Sequence, residues 1–113
     1  MRIVGIDLGV TGKHKAVIAN ERGQALRPVI PFSTSLAELS ALVTAAQAGN
    51  EDGQVQVVME PTGMAWFPLA VYLKNQGWTV YLANSRQVAD LRRYFKRYAK
   101  SDRIDAQVLR FAS

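Results

Sequence analysis

Four acidic residues stand where their type and spacing could do chemistry: Asp7, Glu60, Asp102 and Asp105. Asp7 closes the short, mostly apolar run Arg2-Ile3-Val4-Gly5-Ile6, and Glu60 follows the β-branched run Val55-Gln56-Val57-Val58-Met59. Asp102 and Asp105 are three apart, which makes them neighbours on one face of a helix. Carboxylates gathered at one point repel one another unless protons or cations neutralise them. Two divalent ions roughly 3.5–4 Å apart are the usual remedy where a phosphodiester is cut: one readies the attacking oxygen, the other stabilises the leaving oxygen. The chain has no cysteine and a single histidine, so disulfides, thiolate chemistry and His-rich metal sites are excluded. A metal would take oxygen ligands, which suits Mg2+ or Mn2+.

Each acid also has a plainer reading. Asp7 could shape a turn with Gly9, as turn aspartates often do. Asp102 could cap a helix, and Asp105 could pair with a nearby arginine. Glu60 resists such a reading most, because the strand it follows is apolar enough to be buried. Taken together at strand ends, the four favour metal-assisted chemistry.

The net charge of +5 is unevenly placed. Up to residue 83 six basic and six acidic side chains cancel; beyond it eight basic residues against three acidic ones supply the whole excess. The segment holds Arg86, Arg92, Arg93, Lys96, Arg97, Lys100 and Arg103, with Tyr94, Phe95 and Tyr98 interleaved. Such a block reads as a contact for a polyanion, and the aromatics can stack on bases. A solvated helix face is the alternative.

The elements that must position these residues follow from pattern. Strands are expected over 2–8, 14–20 and 24–31, the second and third joined by a turn at Glu21-Arg22-Gly23, with Pro28 and Pro31 marking an edge strand. A helix begins after Ser35, where Ser35 and Glu38 have the spacing of a capping box, and stops at Gly49-Asn50. A strand over 54–59, a helix over 64–76 and a strand over 78–83 come next, then a basic helix and a last helical stretch from Asp102. Strands that follow helices should run parallel to the first, through right-handed crossovers. This order predicts one ribonuclease-H-like domain: a mixed five-stranded sheet, three antiparallel then two parallel strands, with flanking helices. At 113 residues the chain suffices for one domain. No apolar run is long enough for a bilayer and the start does not resemble a signal peptide, so a cytoplasmic protein is expected.

The segments Gly5-Ile6-Asp7, Met59-Glu60-Pro61-Thr62-Gly63 and Lys100-Ser101-Asp102-Arg103-Ile104-Asp105-Ala106 resemble, in this order, the DEDD insertion-sequence transposases of the IS110 type and the related site-specific DNA invertases. Gly9-Val10 and Asn84-Ser85 depart from the family's common Ser-Lys and Asn-Pro. The resemblance implies a RuvC-like fold, a tetrad of Asp7, Glu60, Asp102 and Asp105, magnesium, and homo-oligomers assembled on DNA. It further implies an element-encoded guide RNA and a C-terminal domain with a serine nucleophile, which residues 1–113 do not include. The helical pattern still running at Leu109-Arg110-Phe111 suggests that the chain is a fragment, and its apolar residues suit self-association. Two rivals remain at this point. One is a non-catalytic module for binding DNA or RNA and for assembly. The other is a piece of an actin-like or sugar-kinase ATPase, which also opens with Gly-Ile-Asp-Leu-Gly before a hairpin.

Overall fold

The structure, a computed structural model describing residues 1–9, 12–61 and 63–83, holds five strands and two helices among those residues. They are β1 (Arg2–Asp7), β2 (His14–Asn20), β3 (Ile30–Phe32), α1 (Leu36–Gln47), β4 (Val55–Met59), α2 (Trp66–Asn75) and β5 (Thr79–Leu82). The sheet order is β3-β2-β1-β4-β5. β1 pairs antiparallel with β2 and parallel with β4, and β4 pairs parallel with β5. This is the expected ribonuclease-H-like mixed sheet, with β1 at its centre.

Alternation along the strands decides which residues meet the helices. Val4 and Ile6 of β1, Ala16 and Ile18 of β2, Val55, Val57 and Met59 of β4, and Val80 of β5 form one buried cluster. It also contains Leu39, Leu42 and Ala46 of α1 with Leu69, Ala70 and Leu73 of α2. Both helices therefore cover the same face, as two right-handed crossovers advancing in one direction require. Ile3, Gly5 and Asp7 belong to the other parity and so to the opposite face.

The ends of α1 are chemically marked. Ser35 Oγ accepts the Glu38 backbone N–H at 3.3 Å, the expected cap. The Glu38 carboxylate does not return to Ser35 N–H as a full capping box would. It takes the Ser33 hydroxyl, the Ser33 N–H at 3.1 Å and Lys13 Nζ at 3.2 Å instead. At the other end Gly49, at φ 73°, turns the chain out of the helix, while Arg2 Nη2 donates to the Ala48 carbonyl at 3.2 Å.

The third strand is shorter than its pattern suggests. Ala25 makes only an isolated bridge to Ala19, and continuous pairing resumes at Ile30 against Ala16. Three steps along β2 thus face five along the partner, and the surplus leaves the sheet around Pro28, which has no N–H to give a ladder. Asn20 Oδ1 holds the preceding turn by accepting Arg22 N–H at 2.9 Å and Gln24 N–H at 3.0 Å. Residues 84–113, with the expected basic helix and the stretch from Asp102, lie outside the described residues.

Candidate functional site

The last ladder pair between β1 and β4 is Ile6 with Met59. One residue further, the two chains reach Asp7 and Glu60 side by side, at the carboxyl ends of adjacent parallel strands whose backbones lie about 4.8 Å apart. That edge is where open α/β sheets form their sites. Pairing with β5 holds to the last residue of β4, because Ala83 N–H, one residue past β5, donates to the Met59 carbonyl at 2.9 Å. Glu60 therefore leaves a backbone that is tied on both sides.

Asp7 is exposed and Glu60 half-buried. Among the described residues neither takes part in an ion pair. By strand alternation both carboxylates belong to the face away from α1 and α2, Asp7 in step with Ile3 and Gly5, Glu60 in step with Gln56 and Val58. After Glu60-Pro61 the chain turns through Gly63 at φ 59° before α2 begins. Among the described residues no cluster of three or more metal-ligating side chains exists. Asp102 and Asp105, and Arg86, Arg92, Arg93, Lys96, Arg97, Lys100 and Arg103, lie outside them. Asp7 and Glu60 by themselves offer an all-oxygen donor set, without an ion-pair partner among the described residues, which fits a magnesium ion that keeps several waters and binds one or two carboxylates.

The loop after Asp7 is held by a residue that pattern reading used only to exclude His-rich sites. His14 opens β2 with its ring on the helix-covered face, 6% exposed, tilted against Phe32 at 5.3 Å. Its Nδ1 accepts the Gly9 N–H at 3.0 Å and its Nε2 lies 2.9 Å from Thr34 Oγ1. A backbone N–H can only donate, so Nε2 carries the proton and donates to Thr34. Burial lowers the His14 pKa from its ordinary 6.5, which keeps this neutral form. Gly9 has a second constraint: a Cβ there would come within 2.5 Å of the Gly12 and Lys13 carbonyl oxygens. The Lys13–Glu38 contact ties the same loop to α1. The sequence signal was the parity of His14 with Ala16 and Ile18, two positions that read as core.

Beyond geometry, a family model for transposases of the DEDD, IS110 type matches residues 4–111. The chain belongs to that family. No match was found among curated proteins. Membership assigns the opening Gly-Ile-Asp-Leu-Gly of this transposase domain to a DEDD enzyme rather than to an actin-like or sugar-kinase ATPase. DNA is the partner that a transposase implies. No helix among the described residues is long and apolar enough to cross a membrane.

Proposed function

We propose that this transposase domain is the metal-dependent catalytic unit that cleaves phosphodiesters and takes part in strand exchange when its insertion sequence moves. The observation that carries this reading is the shared edge of Asp7 and Glu60, fixed by the Ile6–Met59 register in a DEDD family member. In this reading Asp7, Glu60, Asp102 and Asp105 hold two Mg2+ (or Mn2+) ions. Bound there, the ions would activate the attacking oxygen and stabilise the leaving one. The chain's own contribution is positional. Hydrogen-bonded strands hold the backbones that lead to Asp7 and Glu60, and the His14 ring anchors Gly9, two residues beyond Asp7. Arg86, Arg92, Arg93, Lys96, Arg97, Lys100 and Arg103 bind the DNA backbone. An element-encoded guide RNA, assembly into homo-oligomers on DNA, a C-terminal serine-bearing domain and a cytoplasmic location complete the proposal.

The test is metal-dependent cleavage of element-end DNA by the transposase, with DNA binding followed separately. Asp7→Asn and Glu60→Gln are expected to abolish cleavage while leaving DNA binding intact. If both variants cleave like the wild type, the carboxylates are not the catalytic centre and the domain is an assembly module.

A further inference from the structure

Lys15 stands opposite Asp7 in the antiparallel β1–β2 ladder. Residues paired in this way share a face, with Cβ atoms about 4.5–5.5 Å apart. Across the sheet edge the sequence of side chains is therefore Lys15, Asp7, Glu60, a cation flanking two carboxylates on the face left free by α1 and α2. On its other side Lys15 pairs with Pro31 of β3, which carries no charge.

Lys15 is exposed and, despite this neighbour, makes no ion pair with Asp7 or with any other described residue. The adjacent lysine behaves differently, since Lys13 Nζ is engaged by Glu38 at 3.2 Å. An edge-protecting role does not account for Lys15 either. Lysines that protect a sheet from unwanted pairing sit on edge strands, and β2 is interior, between β1 and β3. What remains is a compact, mobile cation on a four-carbon stem, adjacent to a carboxylate yet not consumed by it.

We propose that Lys15 is a phosphate-binding residue of the carboxylate site, its ammonium pairing with a non-bridging oxygen of a DNA phosphodiester lying beside Asp7 and Glu60. This rests on the metal-dependent reading of the two acids. A phosphodiester approaching two carboxylates meets repulsion, and a cation on the flank offsets it on the side away from Glu60. Lysine serves this role as a point charge, without the fixed fork of arginine.

The experiment measures affinity for duplex DNA against salt concentration, with magnesium present, for the chain and its Lys15→Gln, Lys15→Arg and Asp7→Asn variants. Each phosphate contact contributes about 0.9 to the slope of log affinity against log salt. Lys15→Gln is expected to lower the slope by about 0.9, and Lys15→Arg to restore it. Melting of the magnesium-free protein should be the same for Lys15→Gln and wild type, since the side chain is exposed. An unchanged slope in Lys15→Gln overturns the assignment of Lys15, while the reading of the acids stands if Asp7→Asn still weakens the stabilisation by magnesium. A magnesium effect that Asp7→Asn leaves untouched overturns that reading, and this proposal with it.

Discussion

The Nδ1 atom of His14 accepts the Gly9 backbone N–H at 3.0 Å, so the only imidazole of the chain is committed to its neutral, Nε2-protonated form. This bond joins the start of β2 to the loop that leaves Asp7. It also makes stability depend on pH in a window where no other side chain ordinarily titrates.

The direction of that dependence follows from burial, which sets the folded pKa of His14 below its ordinary 6.5. As pH falls the unfolded chain takes up the proton first. The contribution is complete above about 6.5 and declines below it, by at most about 1.4 kcal/mol per pH unit, until the folded imidazole is protonated too. His14→Asn should be less stable at neutral pH but should lack this decline. Urea unfolding between pH 7 and 5.5 checks it, and parallel curves for the two proteins would rule out the coupling.

Glu38 titrates in a different range. Its carboxyl is held down to about 2, first by the Ser33 hydroxyl, then by Lys13 and the Ser33 N–H. A depressed acid contributes stability that is present above its unfolded pKa, near 4.5, and lost as pH falls toward 2. Glu38→Gln is expected to flatten the acid limb of the melting curve in that interval. The Ser35 cap should persist, since it needs only the residue-38 backbone N–H.

Divalent metal should stabilise the domain through Asp7 and its partners, because ions bind the assembled site better than the unfolded chain. For an assumed affinity of ~1 mM, ~10 mM magnesium contributes about 1.4 kcal/mol. In a domain near this size that raises the melting temperature by roughly 5–10 °C. The shift should shrink at acid pH, where carboxylates no longer ligate. Asp7→Asn should reduce it while sparing the metal-free fold. Equal shifts in wild type and variant would place the ion elsewhere.

The basic segment should supply most of the DNA affinity. Replacing Arg92, Arg93 and Arg97 with alanine is expected to reduce the salt slope by up to about 2.7, at about 0.9 for each lost phosphate contact. Filter binding over a range of salt reads this directly. A slope unaltered in the triple variant would move the binding face to another part of the chain.

Local chemistry made much of this protein legible without coordinates. The alternation of His14–Asn20 marked a strand with the bounds it has, and Ser35 marked the start of α1, because period and capping are properties of a few adjacent residues. Asp7 and Glu60 could be set at strand ends for the same reason. The sequence also showed where the charge is concentrated. Register is another matter, since it depends on hydrogen bonds between segments far apart in the chain. Only the paired backbones aligned Ile6 with Met59, so bringing Asp7 level with Glu60, and set Lys15 opposite Asp7. β3 came out shorter for a similar reason: Pro28 was legible as a poor ladder residue, but only the pairing with β2, three steps against five, decided how many residues leave the sheet around it. Glu38 kept the Ser35 hydroxyl but not the Ser35 N–H, because Ser33 and Lys13 came within reach once the loop and helix had packed. The burial of His14 likewise required Gly9 and the Phe32–Thr34 segment to gather around it from two places in the sequence, an arrangement that only packing can make.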